Sequence, residues 1–118
     1  MEYSQDNLLD LTIINGLKEL DDDGSDTFFK EIVAVYTDQF PRMTELIESA
    51  LKDQQPDVLA RAAHTLKGAS LNIGAKELSA LCRTIEFCGK DNQLAQVDEL
   101  LESLRTVFTV TLAEINQL

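Results

Sequence analysis

Apolar residues recur at helical spacing along almost the whole chain, and this regularity restricts the possible folds more than any other feature. Leu8, Leu9, Leu11, Ile13, Ile14, Leu17 and Leu20 predict a short N-terminal helix over about residues 7–20. Asp21-Asp22-Asp23-Gly24 breaks it, and Ser25 or Asp23 can cap the next helix by accepting an orphan backbone N–H. Phe28, Phe29, Ile32, Tyr36, Phe40, Met43, Ile47, Ala50 and Leu51 form a stripe over about residues 26–54. Pro41 interrupts this stripe without changing its phase, so a kink within one helix is expected. Pro56 suits the first turn of a third helix over about residues 56–73, which Gly74 ends in a left-handed conformation. A fourth helix spans about residues 76–88, burying Leu78, Leu81, Cys82 and Ile85 and stopping near Gly89. A fifth spans about residues 92–116, with Leu94, Val97, Leu101, Leu104, Phe108, Leu112 and Ile115 at near-heptad spacing.

No segment alternates at period two, and only 5 glycines and 2 prolines punctuate the chain, which argues against a many-turned β fold. The short connections make neighbouring helices antiparallel. The expected fold is all-α, an antiparallel four-helix bundle with a short additional N-terminal helix. With 118 residues and no linker or repeat, residues 1–118 read as one domain, and the initial Met suggests a free-standing protein. The heptad-like last helix also suits a dimer seam, but a bundle core accounts for it more simply, so a monomer is expected.

The 21 acidic residues outnumber the 10 basic ones, for a net charge of −11. Such a chain repels phosphate backbones and anionic lipid, so neither nucleic acid nor membrane is an expected partner. No apolar run approaches the roughly 18 residues of a membrane span, and the N-terminus lacks the pattern of a secretory signal. A cytoplasmic location is expected. Cys82 and Cys88 lie on different faces of the predicted helix and read as structural thiols rather than a disulfide or metal pair. Asp21, Asp22, Asp23 and Asp26 lack the ligand order of a calcium loop and read as helix-start charge. No metal site is expected.

The one histidine, His64, stands on the third helix. Advancing about 100° per residue places Leu59, Ala62, Leu66, Ala69 and Ile73 opposite it, so His64 points outward. Ala60 and Gly68, four residues before and after, leave the ring uncovered. Arg61 and Lys67 bring positive charge, and no acidic residue occurs between Val58 and Lys76. A neutral imidazole is a nucleophile, and beside cations it can accept a phosphoryl group. Without a general base or oxyanion site it suits carrying a group better than making or breaking one. By geometry alone the same face also describes a solvated histidine with chance neighbours.

The run Ala63-His64-Thr65-Leu66-Lys67-Gly68-Ala69-Ser70-Leu71-Asn72-Ile73-Gly74-Ala75 resembles the signature of histidine-containing phosphotransfer (HPt) domains, roughly A-H-x-L-K-G-x-S-x-x-x-G-A. Leu78, Leu81 and Ile85-Glu86 resemble the following helix of that family. The resemblance implies a multistep two-component phosphorelay in which His64 is phosphorylated and exchanges the group with receiver-domain aspartates. It implies that Lys67 assists the phosphoryl group and that Gly68 leaves room for the partner. Leu71, with Ala60, Gly68 and Ala75, would form the apolar centre of docking, and Arg61 part of its rim. The implied partners are response-regulator receiver domains and a hybrid sensor histidine kinase. Mg²⁺ is expected on the receiver, and no ATP site or cofactor on this chain. The dimeric histidine-kinase core fits poorly, because Thr65 replaces the acidic residue after the histidine and no proline follows Pro56. A chemotaxis-kinase phosphoacceptor domain is a close relative, though normally part of a longer chain. The alternative from another class is a non-catalytic helical adaptor using the same face.

Overall fold

A computed structural model describes residues 3–118. It contains α1 (Gln5–Leu8), α2 (Leu11–Lys18), α3 (Thr27–Lys52), α4 (Pro56–Asn72), α5 (Lys76–Lys90), a 3-10 turn (Leu94–Gln96) and α6 (Val97–Asn116), with no strand among the described residues. The four long helices form the bundle. α4 packs most extensively on α5, with α3 on the other side of α4 and α6 against α5 and α3. No helix of the described residues is long and apolar enough to cross a membrane.

The periodic stripes become the core. Phe29, Tyr36, Phe40 and Ile47 of α3 meet Leu59, Ala62, Ala63 and Leu66 of α4, Leu78, Cys82 and Ile85 of α5, and Leu101, Leu104 and Val107 of α6. Phe40 and Phe108 stack at 3.7 Å between centroids. The near-heptad face of α6 is thus covered inside the chain. One polar contact crosses this core: the Tyr36 hydroxyl meets Ser70 Oγ at 2.5 Å, and Ser70 donates to the Leu66 carbonyl at 2.8 Å. A buried hydroxyl needs such partners.

The helix ends explain most departures from the sequence reading. The expected single N-terminal helix is two, because Asp10 turns out of helical geometry. Its side chain accepts from the N–H groups of Thr12 and Ile13, and its own N–H bonds the Gly74 carbonyl at 2.7 Å. That last bond is tertiary, so local periodicity does not announce it. The acidic loop serves helix starts, as expected: Asp21 accepts from the Phe28 N–H at 2.8 Å and Ser25 from the Thr27 N–H. Asp23 acts one step earlier, accepting from the Ser25 N–H. α3 runs unbroken through Pro41. Gly74 takes φ +76, with its N–H on the Leu71 carbonyl and the Ala75 N–H on the Ser70 carbonyl. This is the paired 5→2 and 6→1 pattern of a left-handed helix end. Gln54 and Asn92 end α3 and α5 the same way, both at positive φ. α5 ends at Lys90, close to the expected stop near Gly89.

Candidate functional site

α4 presents His64 to solvent, with 65% of its side chain exposed. Three core residues of the same helix, Leu59, Ala63 and Leu66, are fully buried, which fixes the helix's rotation and so the direction of the imidazole. Gly68, one turn on, is exposed, and a Cβ built there would meet nothing within 4 Å. Arg61 is exposed and Leu71 is 49% exposed on the same side. Between α3 and α4, Phe28, Ile32, Val35 and Ala69 line a shallow groove of about 370 Å³.

The floor of the site comes from α5. Glu86 is buried, its side chain only 4% exposed, and it faces α4. Oε2 lies 3.0 Å from His64 Nδ1, and Oε1 accepts from Lys67 Nζ at 2.7 Å. Lys90, one turn beyond Glu86 on α5, places Nζ 3.0 Å from Oε2. Burial pulls the Glu86 carboxyl upward, but hydrogen bonds from Lys67, Lys90 and His64 outweigh it and hold the group at about 2, below its usual 4.5. Glu86 is therefore an anion at neutral pH and can only accept. The proton it meets must sit on Nδ1 of His64. In the neutral form of the ring, the other nitrogen, Nε2, then carries the lone pair. A neutral ring held in that tautomer is a nucleophile aimed away from its support.

Two of the expected docking residues are elsewhere. Ala75 has no exposed surface. The left-handed turn at Gly74 folds it back onto the end of α4, where an apolar residue ordinarily packs. Ala60 is buried beneath α5, so close to Gly89 that a Cβ there would come within 2.9 Å of Ala60 Cβ. Neither is available to a partner. On the helical wheel Ala60 and Lys67 lie about 40–60° to one side of His64, and that is the side α5 covers. Arg61 and Gly68 lie about as far to the other side, which remains open. Glu86 and Lys90 were not assigned a role from sequence. The signal available was weak: an acidic residue one turn before a lysine reads first as an exposed i,i+4 pair.

Cys82 is buried and Cys88 half-buried, and burial pushes the Cys82 thiol up to about 12. Among the described residues no group of three or more His, Cys, Asp and Glu side chains is placed to hold a metal ion.

The family model of the Hpt domain matches residues 31–117, which include the whole of α4, α5 and α6. The chain belongs to the Hpt domain family. Histidine-containing phosphotransfer protein 4 of Arabidopsis thaliana is 35% identical over 79 residues, 64% of this chain and 62% of that protein. Multistep phosphorelay regulator 1 of Schizosaccharomyces pombe is 32% identical over 89 residues, 75% of this chain and 30% of that protein. Histidine-containing phosphotransfer protein 2 of Arabidopsis thaliana is 31% identical over 101 residues, 76% of this chain and 64% of that protein. The chain thus spans less than two thirds of the length of each of these relatives. Among solved structures, protein HptB of Pseudomonas aeruginosa superposes with a TM-score of 0.82 at 22% identity, covering 92% of this chain and 91% of that one. MtHPt2 of Medicago truncatula gives 0.83 at 22% identity, covering 96% and 78%. At that identity the likeness establishes the Hpt bundle fold.

Proposed function

We propose that this Hpt domain is a phosphoryl carrier of a multistep phosphorelay, taking the group from one receiver-domain aspartate onto Nε2 of His64 and giving it to another. The observation that carries this reading is the Nδ1–Glu86 hydrogen bond at 3.0 Å beneath an otherwise exposed ring. In the step, the Nε2 lone pair attacks phosphorus in line with the aspartyl oxygen. The N–P bond forms, the P–O bond breaks, and aspartate leaves as a carboxylate. The ring keeps its Nδ1 proton, so it gains a positive charge as the new bond forms. Glu86 already faces that proton and stabilises the charge without rearranging. The logic is that of a buried carboxylate orienting a histidine in hydrolases, with the imidazole here acting as nucleophile rather than base. The reverse step loads the second receiver.

Lys67 supports the phosphoryl group from the opposite carboxylate oxygen. Arg61, Gly68 and Leu71 form the docking face, with the open position at Gly68 admitting the partner's backbone. The chain brings no ATP site of its own. The receivers supply Mg²⁺ and the departing carboxylate, and a hybrid sensor kinase charges the first of them.

His64→Gln should remove all transfer from a ³²P-charged receiver while the far-UV spectrum stays helical. A Gln variant that still takes label would overturn the assignment. Lys67→Ala should slow transfer several-fold more than it weakens receiver binding. An unchanged rate would remove Lys67 from the mechanism.

A further inference from the structure

A cavity of about 580 Å³ opens between the end of α2, the first half of α3 and the end of α6. It exists because α2 packs on α3 but makes little contact with α6, which leaves space between their ends. No residue of α4 or α5 lines it. Advancing about 100° per residue along α3 places Phe29, Lys30, Val33 and Thr37, which line the cavity, roughly opposite Phe28, Ile32 and Val35, which line the groove toward α4. The cavity is therefore separate from the face that carries His64. Its apolar residues lie deepest: Phe29 and Ile115 are buried and Val33 is half-buried, whereas Lys30 is exposed.

The charge of this lining runs against that of the chain. Acidic residues outnumber basic ones 21 to 10 overall, yet here two lysines, Lys18 and Lys30, meet one acid, Asp26. Lys18 Nζ stands 3.7 Å from Asp26 Oδ2, beyond hydrogen-bond reach, although only 23% of its side chain is exposed. It lies 5.7 Å from the centroid of the Phe29 ring. Lys30 makes no ion pair among the described residues. An anion entering the cavity would thus meet one loosely paired cation and one free one. Glu19, Asp21 and Asp22 line a separate recess that also includes Lys18. Their charge, screened only beyond about 8 Å, weakens the pull on any anion, so a small hydrophilic ion would not be held. The ligand needs an apolar body as well. Phe29 favours a ring over an alkyl chain, because aromatic pairs gain beyond the area they bury. We propose that this cavity binds a small aromatic carboxylate, its ring against Phe29, Val33 and Ile115 and its carboxylate between Lys18 and Lys30. The volume suits such a ligand, since small-molecule sites occupy about 300–1,000 Å³. The inference goes beyond the carrier reading and does not depend on it.

The test is an amide NMR titration of the whole chain with naphthoate, with naphthylmethanol as its uncharged counterpart and inorganic phosphate as the bare anion. Naphthoate should bind with a Kd of roughly 0.1–1 mM, the range expected for a ligand of its size. Its shifts should centre on Phe29, Val33 and Ile115 and leave α4 unmoved. The alcohol should bind several-fold more weakly, and phosphate should not move these signals. Lys18→Met keeps the stem beside Phe29 and removes the charge, and should weaken naphthoate about threefold to tenfold. Lys30→Met, at an exposed position, should weaken it about twofold. Neither change should alter binding of the alcohol. Ala34→Trp fills the cavity from an exposed position and should abolish binding of both ligands while the far-UV spectrum stays helical. Lys52→Met, a lysine outside the cavity, should change nothing. Shifts centred on α4 or α5, an alcohol bound as tightly as the acid, or an Ala34→Trp protein that binds like the parent would each overturn the proposal. So would naphthoate that fails to bind at several times the expected Kd. If Lys18→Met loses its helical spectrum, the difference between acid and alcohol in Lys30→Met decides, and an undiminished difference there refutes the carboxylate site.

Discussion

Gly89→Ala tests the contact that brings Glu86 beneath His64. Helix propensity alone predicts a gain of about 1 kcal/mol, because Gly89 lies within α5. The packing predicts the opposite. A Cβ at Gly89 would lie 2.9 Å from Ala60 Cβ, 2.9 Å from the Pro56 carbonyl oxygen and 3.0 Å from the Ala60 nitrogen. Two of these are backbone atoms, which cannot rotate away. Restoring an ordinary separation of about 3.5 Å needs α4 and α5 to part by about 0.5 Å. Overpacking of this kind costs about 1–3 kcal/mol, which exceeds the propensity gain over most of that range. The net expectation is a loss of about 1 kcal/mol, within a range of roughly 0–2, or about 4 °C in melting temperature. The same parting lengthens the 3.0 Å His64–Glu86 hydrogen bond, so transfer should slow together with the loss of stability. Gly68→Ala is the matched control, as nothing lies within 4 Å of its Cβ, and it should stabilise by about 0.5–1 kcal/mol. Urea melts of both variants, followed by circular dichroism, supply the comparison. A Gly89→Ala protein more stable than the parent would refute the close-packing argument.

Three other outcomes follow from the site and the core. The Glu86 carboxyl is held at about 2 in the fold, below its ordinary 4.5, so its stabilising effect is present above about 4.5 and disappears as pH falls from there through about 2. Because two of its three partners are more than half exposed, that effect is on the order of 2 kcal/mol. Melting temperatures recorded across this range should fall less steeply in Glu86→Gln than in the parent. Cys82, buried and with its thiol pushed up to about 12, should resist iodoacetamide in the native protein and react in urea, while half-buried Cys88 reacts first; mass spectrometry of the labelled peptides reads the order. Tyr36→Phe removes the hydroxyl that meets Ser70 in the core and should cost about 1 kcal/mol in a urea melt, without altering the exposure of His64.

The residues that could be placed from sequence are those whose position follows from one helix alone. The apolar stripe of α4 sets which way His64 points, and the break at Gly74 follows from a φ that side chains disfavour. α5 ends close to where the sequence places it, although Gly89 itself serves packing against α4 rather than termination. Its terminator is Asn92, which takes positive φ three residues later. Ala60 and Ala75 were misplaced for a related reason. A helical wheel gives an angle around one axis, and it cannot say which part of the outward arc another helix covers.

The chain's own order of residues thus determined an all-α bundle, the outward histidine, and the cations one turn to either side of it. Only the tertiary structure decided what lies under the ring. Glu86 is 22 residues from His64, and its approach depends on the meeting of Ala60 with a glycine on another helix. Periodicity fixes the face a residue occupies within its helix. The distance between two faces is set by the side chains, present or missing, at the place where the helices touch.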